Sequence, residues 1–336
     1  MSYSALQRFR DALTGTPTDR VPVFPLIGGW AAAHFSRHPM PKVASDPDLM
    51  VRAHIEAREA MGYDAVFSYV HPLYVPEAFE CRIRFLESGP LVDPLPVKMS
   101  DLMDGSRLPK PDATRAGNLP VILKATRGLS IYGNGEVPVA GLFEGPFTTA
   151  CRIVEAGLIM RLIYKNPSCL EHVLDRITDF LIAFGRALID HGADALILPE
   201  PTASAAMVSP KMFDRFILPR LRSISGSLDV PLILHICGDT TPLLKAMHQS
   251  GAAVLSLDQC MDLHASRSVL PHATLGGNVD PVNALLMGRP DAVEADTRRA
   301  LSQGGRSRFI LMSGCGIPAA CPPENIKTMV QTAKGY

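Results

Sequence analysis

The stretch PLILHICGD at residues 231–239 carries the strongest signal in the chain. Its apolar residues, continued upstream by Val230, predict a strand buried on both faces, as in a parallel sheet. His235 and Cys237 are two residues apart, so both side chains project from the same face where this strand ends. An imidazole beside a thiolate suits a borderline-soft metal such as zinc, but two ligands do not complete a site.

A second apolar run, FILMSGCGIP at residues 309–318, also ends in a thiol. This thiol, Cys315, stands between two glycines and is the best candidate for a third ligand. Cys321 is the alternative, although it lies where a helix is predicted to begin. Three protein ligands would leave one position open, which is the arrangement of catalytic rather than structural zinc.

The pattern of a buried strand with a polar end recurs along the chain. Eight strand-like runs are predicted, most of them followed by a helix: residues 20–26, 64–69, 137–143, 194–198, 253–257 and three around residues 235, 274 and 310. This alternation predicts an α/β fold with a parallel sheet, and eight units suggest a single-domain (β/α)8 TIM barrel over residues 1–336. A doubly wound open sheet is the alternative. It is weakened because no Gly-x-Gly-x-x-Gly turn follows an early strand.

Residues 72–136 depart from this regularity. Prolines interrupt every long period there, so we expect a hairpin-like excursion after the second strand, followed by a helix near residues 118–129. Long irregular insertions often carry function. This irregular insertion is therefore the best place for a lid or a partner-docking surface.

Composition limits the classes of function. Hydrophobic residues make up 47% of the 336 residues, which predicts a large core, yet no apolar run is long enough to span a membrane. Lys plus Arg equals Asp plus Glu at 33 each, without a basic block, which argues against a nucleic-acid partner. The amino-terminal residues read as a polar amphipathic helix rather than a signal peptide. Seven cysteines in such a chain indicate a cytoplasmic, reducing environment.

Several motifs resemble the uroporphyrinogen decarboxylase superfamily, and within it the methylcobamide:thiol methyltransferases. They are GTPTDRVPV at residues 15–23, FEGPFT at 143–148, HICG at 235–238 and GCGI at 314–317. The resemblance implies a (β/α)8 barrel whose zinc ligands are His235, Cys237 and Cys315. It also implies methyl transfer between a methylcobalamin-type corrinoid, carried by a corrinoid-binding protein, and a small thiol. The direction of transfer stays open, as does a folate acceptor.

One departure from the methyltransferase pattern concerns the end of the fourth predicted strand. Those enzymes usually have Asp-Pro there, whereas this chain has Glu200 before Pro201. The acid is kept with one more methylene, which leaves open an acceptor pocket different from that for coenzyme M.

The remaining polar strand ends are candidates for the chemistry at the same rim. Glu200 and Asp258 are predicted to be catalytic; the alternatives are a fourth zinc ligand or caps that bind loop amides. Glu144, Asn278 and Tyr69 are predicted to bind the cofactor, although Asn278 could instead hold its own turn. The remaining cysteines, Cys81, Cys151, Cys169 and Cys260, are expected to be small buried apolar residues.

Two other functions compete with methyl transfer. Decarboxylases of the superfamily need no metal and bind substrate carboxylates through basic residues in an amino-terminal segment of Arg-Gln-Ala-Gly-Arg type. The corresponding stretch here, PLIGGWA at residues 25–31, has no arginine, which makes this a weaker alternative. The third possibility is a barrel that only binds a corrinoid or tetrapyrrole.

If Cys315 is the third ligand, two alanine variants should differ in their affinity for zinc. Cys315→Ala should weaken zinc binding by at least about tenfold, because it removes a ligand. Cys321→Ala should leave zinc binding unchanged. Competition with a zinc chelator measures both affinities, and the reverse result would assign the third ligand to Cys321.

Overall fold

The computed structural model describes residues 3–86, 89–95, 100, 102 and 108–336. Nine strands are present in this part of the chain, and seven of them form one parallel sheet, in the order β1-β4-β5-β6-β7-β8-β9. The strands are β1 (Val66–Phe67), β2 (Arg82–Leu86), β3 (Gly89–Asp93), β4 (Val139–Leu142), β5 (Ala195–Pro199), β6 (Leu232–Ile236), β7 (Val254–Leu257), β8 (Thr274–Val279) and β9 (Phe309–Ser313).

Helices cover the outer face of this sheet. None of them, within the described ranges, is long and apolar enough to cross a membrane. The α-helices are Ala5–Thr14, Gly28–Phe35, Met40–Ala44, Pro47–Met61, Tyr74–Ala78, Leu119–Gly133, Pro146–Ile153, Ala156–Lys165, Pro167–Asp190, Pro210–Met212, Leu218–Ser227, Leu244–Gln249, Leu263–Val269, Pro290–Gly304 and Pro323–Lys334.

The helix Pro167–Asp190 illustrates how sequence pattern and packing agree. The Asn166 side chain accepts a hydrogen bond from the Cys169 backbone N–H, and a proline occupies the first helical turn. Apolar residues at spacings of three and four, a sequence pattern that predicts an amphipathic helix, then form one buried stripe. They are Leu170, Val173, Leu174, Ile177, Leu181, Phe184 and Leu188.

The first predicted strand, residues 20–26, is reduced to a single parallel bridge between Val23 and Leu311 of β9. Pro22 and Pro25 lack the N–H groups that a regular ladder requires, which explains why the strand does not form. The segment nevertheless joins both edges of the sheet. Phe24 N donates to Leu311 O at 2.8 Å, and on the other side Asp64 N donates to Val23 O at 2.9 Å.

The order of the strands excludes the doubly wound alternative. From β4 to β9 each strand pairs with the next one along the chain, and β1 pairs with β4. A doubly wound sheet instead reverses its strand order at a switch point. All six pairings within the main sheet are parallel, so the carboxyl ends of all seven strands lie along one rim.

The predicted irregular insertion, residues 72–136, contains the antiparallel hairpin of β2 and β3. It also contains the helix Leu119–Gly133, close to the helix predicted near residues 118–129. Residues 87–88, 96–99, 101 and 103–107 of the predicted lid lie outside the described residues. A role as a lid stays a prediction.

A buried ion network fixes the segment around Val23 beside the sheet. The Asp64 carboxylate, only 3% exposed, accepts hydrogen bonds from the Val23 backbone N–H and from the guanidinium groups of Arg8 and Arg20. The Arg20 contact is bidentate, with both distances 2.7 Å. Arg8 also binds Asp19, but loss of the Asp64 charge would leave Arg20 without its carboxylate partner and weaken the contact that holds the Val23 amide.

Asp64→Asn should therefore lower the free energy of unfolding by roughly 3–5 kcal/mol. The matched control is Glu294→Gln, which breaks the exposed Arg298–Glu294 pair and should cost less than about 1 kcal/mol. Urea denaturation followed by circular dichroism measures both values. Equal losses in the two variants would contradict a role for Asp64 in joining the sheet edges.

Candidate metal centre

Three candidate ligands meet at the carboxyl rim of the curled sheet. Cys237 Sγ lies 3.2 Å from His235 Nε2 and 3.6 Å from Cys315 Sγ, and ligand atoms of all three residues lie within 4.8 Å of one another. β7 and β8 separate β6 from β9 in the sheet. In a flat sheet β6 and β9 would therefore be about 14 Å apart. The curl of the sheet brings the two strand ends together.

The spacing of these atoms fits a tetrahedral zinc ion. Two sulfur ligands on such an ion, each at about 2.3 Å, lie about 3.8 Å from each other. The observed Sγ–Sγ distance of 3.6 Å is close to this value. The donor set of one imidazole and two thiols is also one that zinc prefers, and it leaves a coordination position free.

The tautomer of His235 leaves Nε2, the nitrogen beside Cys237, free to bind a metal. Its Nδ1 lies 3.2 Å from both the carbonyl oxygen and the hydroxyl oxygen of Ser256. Since a carbonyl oxygen can only accept, Nδ1 carries the proton and donates it. The lone pair of Nε2 then faces Cys237. Backbone contacts of this kind orient metal-binding histidines in proteins generally.

The two thiols share one proton unequally. The sulfur atoms of Cys237 and Cys315 share a hydrogen bond, and this contact lowers the pKa of Cys315. The same hydrogen bond, with burial, raises the pKa of Cys237. A thiolate at Cys315 is the protonation state that a metal ligand requires.

Asp258 positions the loop that follows Cys237 and does not face the cavity beside the cluster. Its Oδ2 accepts from the Gly238 backbone N–H at 2.8 Å, and its Oδ1 accepts from the Cys260 N–H at 3.0 Å. Gly238 has φ +80°, a conformation that favours glycine. The structure therefore places Asp258 in the capping role that was one of its alternatives.

Glu200 is fully buried and binds the amino terminus of the helix Pro146–Ile153. Its two carboxylate oxygens accept from the backbone N–H groups of Phe147 and Thr148, each at 2.9 Å. Burial raises the pKa of Glu200 to about 7. Both oxygens are occupied by this helix, and the side chain does not line the cavity beside the cluster.

Asn278 holds a neighbouring loop. Its Nδ2 donates to the carbonyl oxygens of Asp258 and Met261 at 3.0 and 2.7 Å, and its Oδ1 accepts from Arg299. All of its polar atoms are thus bonded within the protein. These contacts fit the alternative in which Asn278 fixes a turn, although the turn belongs to the preceding loop, and the cofactor contact stays a prediction.

A cavity of about 230 Å³ adjoins the three candidate ligands. Tyr69 and Glu144, both predicted to bind the cofactor, line it. Both oxygens of Glu144 accept from Arg152, at 2.5 and 2.7 Å. Burial raises the pKa of Glu144, and the arginine opposes this shift. His71 also lines this cavity. It was not among the predicted site residues, although it lies two residues beyond Tyr69 at the same strand end.

The other cysteines lie apart from the cluster. Cys321 is buried, and its Sγ donates to Leu285 O at 3.0 Å. Cys81, Cys151 and Cys169 are buried as expected, but Cys260 is exposed, so the expectation of burial was wrong there. Cys260 follows Asp258 in a loop, where its backbone N–H donates to the Asp258 carboxylate. Ser256, which contacts His235, was not among the predicted site residues. It could have been noticed as a polar residue within an otherwise apolar strand.

Comparison with known proteins matches this arrangement to one family. The sequence profile of the family described as "Uroporphyrinogen decarboxylase (URO-D)" matches residues 4–336. A methylcobamide:CoM methyltransferase, MtbA of Methanosarcina mazei, is 31% identical, with 99% of this chain and 98% of that protein covered. A uroporphyrinogen decarboxylase of Syntrophotalea carbinolica is 29% identical, over 96% of this chain and 95% of its own.

Among solved structures, a methyltransferase from Methanosarcina mazei superposes with a TM-score of 0.92 at 29% identity, and 99% of each chain is covered. The fold and the rim site thus define an α/β protein with a curled parallel sheet and a candidate soft-metal centre at the carboxyl ends of its strands. The chain belongs to the uroporphyrinogen decarboxylase family. The family resemblance seen in the sequence motifs is confirmed.

The position of Cys315 depends on the glycine before it. A Cβ at Gly314 would lie 2.5 Å from the backbone N of Gln259, whereas a Cβ at Gly316 would meet nothing within 4 Å. Gly314→Ala should therefore displace Cys315 and weaken zinc binding by at least about tenfold, and Gly316→Ala should not. Chelator competition measures both variants. Equal affinities would show that the glycine does not position this cysteine.

Proposed function

We propose that this protein is a zinc-dependent methyltransferase. In this proposal it moves a methyl group from a methylcobalamin-type corrinoid, carried by a partner protein, to a small thiol. The observation that carries the proposal is the cluster of His235, Cys237 and Cys315 beside the cavity. The full-length similarity to methyltransferases named for methylcobamide and CoM supports it.

His235, Cys237 and Cys315 would hold the metal. When bound, zinc would lower the pKa of a thiol in the open position, so that the thiol loses its proton at neutral pH. Two thiolates and one neutral imidazole balance the charge of the ion. Ser256 keeps the proton of His235 on Nδ1, and Asp258 holds the loop that carries Cys237.

The cavity would hold the thiol in position and exclude water from it. Most of its wall is apolar, formed by side chains including Leu26, Val70, Leu142, Ile197 and Ile317. A thiol held there would face the incoming methyl group at the rim. The thiolate sulfur forms a bond to the methyl carbon while the carbon–cobalt bond breaks. The electron pair of that bond stays on cobalt, and the thiol proton leaves to solvent.

The size of the cavity favours a small thiol over a folate. Its volume of about 230 Å³ lies below the ~300–1,000 Å³ typical of pockets for drug-sized ligands.

The proposal also includes a closed (β/α)8 barrel, supported by the hydrogen bonds of residues 22–24 to both sheet edges. A reducing compartment such as the cytoplasm belongs to it as well, because both thiols must stay unoxidised.

Porphyrinogen decarboxylation is the second candidate, favoured by relatives of that name. Such a substrate carries many carboxylates and needs cations to bind them. Among the described residues, no lysine or arginine lines the cavity, and Gly28 and Gly29 line it where basic residues would be required. Methyl transfer therefore accounts better for this cavity.

A combined metal and activity assay tests the proposal. The purified protein should bind about one zinc per chain and demethylate methylcobalamin in the presence of a small thiol. Cys237→Ser should lower zinc affinity and turnover by at least about tenfold, because a ligand is lost. The control, Cys260→Ser, changes an exposed cysteine outside the cluster and should retain both.

Three results would contradict the proposal. Decarboxylation of a porphyrinogen by metal-free protein would support the second candidate. The protein could instead bind stoichiometric zinc but fail to demethylate methylcobalamin with any of several thiols or with tetrahydrofolate. That result would support the alternative of a protein that only binds a corrinoid or tetrapyrrole. Full activity of the Cys237→Ser variant would show that the reaction does not need Cys237 as a zinc ligand.

A further inference from the structure

The cavity beside the metal centre has few polar side chains in its wall. Those that the structure describes are Tyr69, His71 and Glu144, besides the three candidate ligands. Glu144 is committed to Arg152 through both oxygens, and the Tyr69 ring lies against the backbone of Gly28. A ligand that enters the cavity therefore meets a mostly apolar surface. His71 is the polar residue in this wall whose role the proposed function does not yet include.

Three contacts fix the His71 ring. It stacks on Tyr74, with ring centroids 4.1 Å apart and planes at 9°, and it meets the Phe85 ring edge-on at 5.5 Å. Its Nδ1 accepts a hydrogen bond from the backbone N–H of Leu73 at 3.1 Å. Since the amide can only donate, Nδ1 must be the unprotonated nitrogen. In the neutral ring the proton is then on Nε2.

The Nε2–H group is the free polar end of this ring, because Nδ1 is bound to the Leu73 backbone. It has no hydrogen-bond partner in the described part of the chain, and it is not among the fully buried polar atoms that lack one. The ring itself lines the cavity. Burial lowers the pKa of His71 to about 4, so the ring is neutral at physiological pH. A neutral donor on a ring of fixed orientation is thus available in the wall of a mostly apolar cavity.

We propose that His71 determines the specificity for the methyl acceptor, by donating its Nε2–H to an oxygen at the end of the acceptor remote from the thiol. This inference rests on the proposed methyl transfer and names its substrate class: a small thiol with a hydrogen-bond-accepting oxygen a few bonds from sulfur. A buried donor left without such an oxygen costs binding free energy, which is how the site discriminates.

Matched thiols test this assignment with zinc-loaded protein and free methylcobalamin. 2-Mercaptoethanol carries the oxygen, and propane-1-thiol has the same shape without it. The wild-type protein should prefer mercaptoethanol in kcat/KM by about three- to tenfold, the ratio that one neutral hydrogen bond supplies. Equal kcat/KM for the two thiols would overturn the assignment without any variant.

His71→Phe keeps an aromatic ring for the contacts with Tyr74 and Phe85 but lacks the donor. It should abolish the preference by raising KM for mercaptoethanol, with kcat, zinc content and the reaction of propanethiol unchanged. His71→Gln, which can again present an N–H, should restore part of the preference. A preference that persists in His71→Phe would contradict the proposal. If the wild type methylates neither thiol, the proposed function itself fails, which is a distinguishable result.

The anionic thiols 3-mercaptopropionate and 2-mercaptoethanesulfonate identify the kind of oxygen. A larger effect of His71→Phe on these thiols than on mercaptoethanol would support the same donor acting on an anionic oxygen. A smaller effect would support a neutral one.

A measurement without turnover tests the tautomer directly. Long-range 1H–15N spectra of the wild-type protein at pH 7, with the His71 signals assigned by their loss in His71→Phe, should show a neutral ring protonated on Nε2. A ring protonated on Nδ1 would overturn the proposal, because no donor would then face the cavity.

Discussion

The contact between the sulfur atoms of Cys237 and Cys315, at 3.6 Å, is the constraint on which the rest of the site depends. It joins two strands that have two others between them, so it can exist only if the sheet curls strongly. The curl in turn depends on the segment around Val23, which hydrogen-bonds to β9 on one side and to the residue before β1 on the other. Asp64 and its two arginines hold that segment. The candidate metal centre at the carboxyl rim thus relies on a buried ion network before the first strand.

Two histidines near the cavity illustrate how backbone groups select the chemistry of a side chain. The carbonyl of Ser256 keeps the proton of His235 on Nδ1 and leaves Nε2 free for a metal. The amide of Leu73 does the opposite at His71, where it occupies Nδ1 and places the proton on Nε2. One ring therefore presents a lone pair and the other a donor to the same region. Both orientations are built into the fold before any ligand binds, which reduces the entropy lost on binding.

The buried acids at the rim hold neighbouring parts of the protein in place, and a catalytic role for Glu200 and Asp258 stays a prediction. Glu200 binds the first amides of a helix, Asp258 binds the loop after Cys237, and Glu144 is paired with Arg152. Each carboxylate satisfies two hydrogen-bond donors of the strand-end segments around it. Because these three acids hold strand-end segments in place, their presence at the rim reflects the demands of those segments as well as any part in catalysis.

The sequence by itself determined which residue types stand at the strand ends. Buried strands appear as apolar runs, and their alternation with helices is local, so the parallel sheet, the long helix from Pro167 and the triad His235, Cys237 and Cys315 could be predicted. It could not reveal that prolines reduce the first strand to one bridge at Val23, nor which acids bind helix and loop amides. Only the tertiary structure decided these, because they depend on which backbone groups lie opposite a side chain. The same reason applies to the tautomers of His235 and His71, since a carbonyl or an amide from elsewhere in the fold assigns each proton.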